Sequence, residues 1–342
     1  MASDDNHTDS SNYGYIPTEA WCIAFIVLFS VSALVHSYQA FRSKYWIIYP
    51  TLILGALVEI LGWSGRLWSS RNVLLLTPFL MQISTLIMAP VFFSAYDYVV
   101  LGMAINKLGP QYSLLQPKYY FATFITADVI SLILQAIGGG KASSSAAEGA
   151  PTQSATNIMV AGIIFQLISM AVFLILGVDF IIRANSEKAY SFRLKQIENK
   201  AIKRKQKEAN GDSEKATRRS SDHTLTHTES DETVIGGGQQ SILKKETQND
   251  LEAQHISEHN EHLHIRNWWI LLAGVLFSST MILIRGIYRS IELVQGWDGY
   301  LITTEMYQNI LDGLMMLLAV GIYNFIHPYY LLPRKTSWKG YH

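Results

Sequence analysis

Apolar residues in this chain fall in long blocks, not in the short alternations of a soluble fold. Seven stretches are poor enough in charge, and long enough at about 20 residues, to cross a bilayer as helices. They are 20–41, 46–68, 75–105, 118–137, 157–182, 268–291 and 303–331. Every backbone N–H and C=O in the hydrocarbon must be satisfied within the segment, and a continuous apolar run does that as a helix. The pattern therefore predicts an all-α fold, a bundle of seven transmembrane helices. The third run is longer than a perpendicular crossing requires and contains Pro78 and Pro90, so it must tilt, kink or extend beyond the membrane. Pro90 is its expected kink. The fourth run is predicted to close at Gly138, Gly139 and Gly140.

The polar blocks between these runs set the domain plan. Residues 1–19 form an N-terminal tail, 20–182 hold helices one to five, 183–266 form a long loop, 267–332 hold helices six and seven, and 333–342 form a C-terminal tail. Lys and Arg in short loops mark the cytoplasmic side. Arg42 and Lys44 follow helix one, Lys107 and Lys118 follow helix three, a basic stretch follows helix five, and Arg334, Lys335 and Lys339 follow helix seven. These ends alternate onto one side, which predicts an external N-terminus and a cytoplasmic C-terminus. Arg66 and Arg71, near the external end of helix two, are the main exception. The tail has no Lys or Arg and carries a glycosylation sequon at Asn6-His7-Thr8, as an external tail can. Trp and Tyr gather at helix ends, as interfacial belts require.

Composition adds exclusions. Charged residues make up 16% of the chain, against about 25% in an ordinary soluble domain. The formal net charge is zero, so no nucleic-acid partner is expected, and the single cysteine, Cys22, permits no intramolecular disulfide. The N-terminus lacks a basic segment followed by an apolar core, so the first helix is expected to act as an uncleaved signal. Lys188, Arg193, Lys195, Lys200, Lys203, Arg204, Lys205 and Lys207 open the long loop. On the cytoplasmic side they are expected to attract anionic lipids, at about 1 kcal/mol for each residue near the surface. The remainder of the loop is polar and reads as largely disordered. Arg218-Arg219-Ser220-Ser221 fits a kinase site, though such tetrads are common. His255, His259, His262 and His264 fit a metal site, but a polar linker accounts for them more simply. No metal and no cofactor is expected.

The chemistry lies in polar residues within the apolar runs. An ionisable side chain near mid-membrane costs roughly 2.5–3.5 kcal/mol on insertion scales, so each needs a reason. Glu59 and Arg66 are seven apart on helix two, as are Asp128 and Gln135 on helix four and Glu305 and Asp312 on helix seven; each pair shares a face. Gln166 lies in helix five, and Arg285, Arg289 and Glu292 form a ladder on helix six. With the predicted orientation, Arg66, Arg285, Arg289, Glu292 and Glu305 sit near the outer boundary, and Glu59, Asp128, Gln135 and Asp312 sit deeper. Lipid cannot solvate them, so they are expected to meet in a polar cavity open to the outer leaflet. The plainer reading is that they are pairs locking helices together. Asp97 and Asp179, toward the cytoplasmic ends, are expected to be interfacial.

Other seven-helix classes fit poorly. A retinal protein needs a lysine in helix seven, and none lies between Thr303 and Leu332. An external disulfide of the receptor kind is impossible with one cysteine. Of the histidines, only His36 and His327 lie in helices, near their cytoplasmic ends, which does not suit an intramembrane zinc hydrolase. No Gly-rich Lys-Ser/Thr nucleotide loop is present.

The polar motifs resemble those of the fungal RTA1-like, or lipid-translocating exporter, family. Helix two carries Glu59-Ile60-Leu61-Gly62-Trp63-Ser64-Gly65-Arg66. Helix three carries Ala89-Pro90-Val91-Phe92-Phe93-Ser94-Ala95-Tyr96-Asp97-Tyr98. Helix four carries Asp128, Ser131, Gln135 and Gly138-Gly139-Gly140, and helix five carries Gly162 and Gln166. Arg285, Tyr288-Arg289, Glu292, Gln295-Gly296, Asp298-Gly299, Glu305, Tyr307, Asp312 and His327-Pro328 complete the likeness. The resemblance implies a multi-pass protein, most often of the plasma membrane, with the vacuolar or endoplasmic reticulum membrane as alternatives. It implies export or flipping of amphiphiles such as sphingoid bases, sterol-like compounds or porphyrins, and toxicant resistance. The expected partners are membrane lipids or amphiphilic small molecules. No catalytic residue is implied, and no enzyme activity is expected. The alternative is a lipid sensor that signals through the long loop.

Overall fold

The computed structural model describes residues 14–148, 150–196, 199, 239–296 and 299–331, with the backbone alone at 146–147, 239–266 and 328–329. Asn6, the loop residues Lys200 to Lys207 and Arg218 to Ser221, the tail residues Arg334, Lys335 and Lys339, and the four loop histidine side chains lie outside that description. The described residues contain seven helices long and apolar enough to span a membrane. They are α1 (Glu19–Ser43), α2 (Trp46–Arg71), α3 (Leu76–Leu108), α4 (Pro117–Ala147), α5 (Gln153–Asn185), α6 (Gln239–Gln295, with its membrane span at Asn267–Gln295) and α7 (Glu305–Phe325). A short α8 (Pro328–Leu331) follows.

The helices pack as a ring around α3. Neighbours in sequence touch in turn, α6 closes on α7 and α7 on α1, while α3 also meets α6 and α7. Between Ala89 and Ile105 only Phe92 of α3 escapes full burial. At 33 residues and 1.5 Å per residue, α3 is about 50 Å long, well beyond the hydrocarbon thickness. The outward faces remain apolar: Leu34 and Phe41 on α1, Ile133 and Ile137 on α4, and Ile175 and Ile182 on α5 are exposed. In lipid these contacts replace protein burial, so the core is confined to the ring's interior.

Several boundaries differ from the sequence reading. Gly138 to Gly140 do not end the fourth helix, which runs on to Ala147. Gly138 is there for close approach: a Cβ on it would lie 2.6 Å from Met159 N and 2.9 Å from Ala155 O of α5. Small residues let membrane helices approach this way. Pro78 sits in the first turn of α3, where a missing N–H costs little, leaving Pro90 inside the helix. The chain preceding the sixth span is helical back to Gln239, within the stretch read as largely disordered. Residues 239–266 contain no Gly or Pro and many Gln, Glu, Lys and Leu, good helix formers that outweigh the low hydrophobicity. α7 stops at Phe325, ahead of His327.

Two π-helical turns interrupt regularity, at Tyr49–Ile53 in α2 and at Gln308–Leu314 in α7. The first contains Pro50, whose ring cannot donate to the helix. The second contains Asp312. Such bulges recur at functional sites because they rotate one turn of side chains out of the regular register.

Candidate functional site

The polar residues predicted from spacing come together as two linked assemblies, and the arginine ladder of α6 is their hinge. Arg285 Nε donates to Asp312 Oδ1 of α7 at 2.7 Å, and Arg289 pairs with the other oxygen, Asp312 Oδ2. Arg289 Nη1 also donates to Glu292 Oε2 at 2.8 Å, and Tyr288 Oη donates to Glu292 Oε1 at 2.9 Å. All four charged groups are almost fully buried. The second donor group of Arg285, Nη2, bonds to the backbone carbonyl of Leu86 at 2.6 Å. Leu86 is four residues before Pro90, so its carbonyl has no helical N–H to accept. Pro90 thus frees the acceptor that fastens α6 to α3.

Toward the end that carries the N-terminal residues, Arg66 of α2 donates to Gln308 Oε1 at 2.9 Å, to Tyr15 Oη at 2.7 Å and to Glu305 Oε1 at 3.3 Å. Thr18 caps the same carboxylate through its N–H (2.8 Å) and its hydroxyl (2.7 Å). Residues 14–18 therefore lie across Arg66 and tie α1 to α7. Glu59, two turns from Arg66, is buried and has Asp312, Arg285 and Arg289 as its charged neighbours, yet it enters no ion pair among the described residues. This assembly holds three guanidinium groups (Arg66, Arg285, Arg289) and four carboxyl groups (Glu59, Glu292, Glu305, Asp312).

Asp128 does not join it directly. It is buried on α4, where Oδ2 accepts from Ser94 Oγ at 2.8 Å and from Tyr98 Oη at 3.0 Å, both on α3. Its other oxygen, Oδ1, is buried without a partner. One turn further, Ser131 donates to Gly162 O at 2.6 Å, and Gln135 Nε2 donates to Ser131 Oγ at 2.5 Å and to Gln166 Oε1 at 2.9 Å. A cavity of about 20 Å³ lies between α3, α4, α5 and α6, room for about one water molecule. Pro90, Ser94, Asp128, Gln166 and Arg285 line it together with Ile163, Leu167, Met170, Ile282 and Leu283. Asp128 and Arg285 both line this cavity, and no ion pair joins them among the described residues.

Three expectations are corrected. Among the described residues the charged side chains pair with one another instead of lining an open polar vestibule, and the cavity beside them is small, because unpaired charges in a membrane core are too costly. Asp97 is not interfacial but fully buried, bonded to α6 and α7. Arg193, counted in the lipid-facing basic stretch, is buried and donates to the carbonyls of Ser113 and Leu114 and to Gln196. It fastens the segment after α5 to the α3–α4 connection, leaving Lys188 and Lys195 exposed. Asp179 matches expectation, partly exposed and paired with Arg183 at 3.0 Å. His36 and His327 meet at 6.1 Å between ring centroids, and no metal-binding group of three or more His, Cys, Asp or Glu occurs among the described residues.

Comparison with known proteins places the chain among relatives. A family profile described as RTA1 like protein matches residues 52–335, from α2 onward. The chain belongs to the RTA1-like family. The sphingoid long-chain base transporter RSB1 of Saccharomyces cerevisiae (strain JAY291) is 30% identical over 328 residues, covering 95% of this chain and 75% of that one. The Saccharomyces cerevisiae protein RTM1 is 23% identical, covering 94% and 93%, and protein RTA1 is 26% identical, covering 82% and 65%. No solved structure matches. Within this RTA1-like chain, sequence reasoning passed over Tyr15, Ser94, Tyr98, Gln308, Ser279 and Tyr323 as contributors. Only Ser94 and Tyr98 carried a signal: with Pro90 they repeat every fourth residue over two turns, within one face of α3.

Proposed function

We propose that this protein translocates single-chain amphiphiles with a cationic headgroup, of the sphingoid-base class, and that the headgroup passes Asp128. One observation carries the reading: Asp128 lines a cavity whose other walls are largely apolar, and its buried Oδ1 has no hydrogen-bond partner among the described residues. An ammonium group satisfies that oxygen, and an alkyl chain suits Ile163, Leu167, Met170, Ile282 and Leu283. The arginines point away from an anionic headgroup, because Arg285 and Arg289 already spend their charge on Asp312 and Glu292. Glu59, the fourth carboxyl group of the neighbouring assembly, enters no ion pair among the described residues and could accept a cationic partner in the same way. Likeness to a relative named as a sphingoid long-chain base transporter supports the substrate class. The cavity admits a headgroup only after the helices part, so passage requires α4 and α5 to move relative to α3 and α6. The end carrying residues 14–18 is the external end on the charge distribution of the loops, and the plasma membrane is the proposed site of action.

The test is movement of a fluorescent sphingoid base across vesicles containing the purified protein. Asp128→Asn preserves size and the bonds to Ser94 and Tyr98 but removes the charge. It is expected to abolish most protein-dependent movement while the protein stays folded by circular dichroism. Unchanged movement in a folded Asp128→Asn protein would sink the assignment.

A further inference from the structure

A second buried carboxylate is held in a different way. Asp97 lies on α3, fully buried. Tyr323 Oη of α7 donates to Oδ1 at 2.5 Å and Ser279 Oγ of α6 donates to Oδ2 at 2.7 Å. No Arg, Lys or His pairs with it among the described residues. The groups that face it are Tyr96 and Tyr98 on α3, Tyr96 edge-on to Tyr323 with ring centroids 4.7 Å apart, Tyr323 on α7, and Ser278 and Ser279 on α6; Tyr45, ahead of α2, stands beyond Tyr96. The Tyr96 hydroxyl is buried without a hydrogen-bond partner among the described residues, and the buried Ser278 hydroxyl lies within reach of Asp97 and Tyr323.

The contrast with Asp312 is chemical. A guanidinium only donates, so two arginines fix Asp312 in its charged form. Hydroxyl groups donate and accept. Around an ionised Asp97, Ser279 and Tyr323 donate. Around a protonated Asp97 one hydroxyl can rotate to accept, and the Ser278 oxygen is at hand for the acid proton. Both forms of Asp97 therefore have hydrogen-bond partners, which is the requirement for a group that gains and loses a proton without disrupting its surroundings. The donors belong to α6 and α7, the helices that carry Arg285, Arg289 and Asp312. Neutralising Asp97 weakens its charge-assisted bonds to both, and so loosens α3 from the pair. Carboxyl groups buried among membrane helices commonly serve as proton relays.

We propose that Asp97 is the binding site of a coupling proton, loaded from one side of the membrane and released to the other as α3 shifts against α6 and α7. A proton gradient then drives the amphiphile. The inference goes beyond the headgroup reading and rests on it only for the identity of the solute.

The experiment uses the full chain in vesicles with a fluorescent sphingoid base and an imposed pH gradient. In the wild type, movement should accelerate with the gradient and ignore an equal sodium gradient. Asp97→Asn should still bind the base but lose all gradient dependence. Dependence on sodium, or a gradient response that survives in Asp97→Asn, overturns the proposal. A second readout needs no transport: infrared difference spectroscopy during pH titration of the purified protein. It should show the carbonyl stretch of a protonated carboxylic acid that Asp97→Asn removes and Tyr323→Phe shifts. If the base fails to move under any condition, the headgroup reading fails while the infrared band still decides for Asp97. A titrating band unaffected by either substitution also overturns it.

Discussion

Asp312 shows how much depends on one side chain. Its two oxygens face two buried arginines, one of which is also fastened to the Leu86 carbonyl. Removing the carboxylate leaves Arg285 and Arg289 buried and undercompensated, a situation that costs about 3–5 kcal/mol. Asp312→Ala is therefore expected to lower stability by that amount, read as the denaturation midpoint of the purified protein in detergent. Glu19 makes a useful comparison, because its pair with Arg71 is exposed on both sides. Exposed pairs contribute roughly 0–1 kcal/mol, so Glu19→Gln should shift the midpoint much less. Equal effects would show that burial does not govern these pairs. The residue types and their seven-residue spacing were readable in the chain, as was their inward direction. Their partners were not, because Arg285 could reach Asp312, Glu59 or Asp128 until the helices' rotation and depth were known.

At the scale of the element, α3 does the organising. Gln82, Leu86, Pro90, Ser94 and Tyr98 follow one another at four-residue steps, each either bonding to a neighbouring helix, lining the cavity or buried in the core. Pro90 reads in sequence as a kink. In the fold its consequence is the carbonyl it releases, which Arg285 takes. Pro90→Ala restores an N–H that competes for Leu86 O through a regular helical bond. The substitution is expected to leave the protein folded and at normal abundance but to slow sphingoid-base movement several-fold, since Arg285 loses one of its two anchors. Movement at the wild-type rate would mean that the Leu86 contact does not position Arg285. The fourth helix shows the opposite limit of local reasoning. Three consecutive glycines look like a terminator, yet the helix continues because Gly138 meets the α5 backbone, a contact between segments that no local pattern reports.

The whole molecule is a closed ring around α3 with a long insertion between the fifth and sixth spans. If the bundle itself moves the amphiphile, a chain lacking 201–238 should retain sphingoid-base movement in vesicles, with α5 and α6 joined by a flexible linker. A sensor that signals through this insertion should instead keep ligand binding and lose its downstream response in cells. Loss of movement in vesicles on deletion would place the insertion in the transport machinery itself.

The sequence determined the class of this protein unaided. Seven apolar runs, their polar flanks and the cost of charge in hydrocarbon require a helical bundle with its ionisable groups turned inward, and these constraints act on each segment separately. Tertiary structure decided which of those groups neutralise one another and which remain available. Arg285 and Arg289 are committed to Asp312 and Glu292, Asp128 lines a cavity with one oxygen unpartnered, and among the described residues Asp97 is held by hydroxyl groups alone. That division depends on distances of a few ångströms between helices far apart in the chain. Periodicity fixes the face on which a side chain lies, but only packing fixes what stands opposite it.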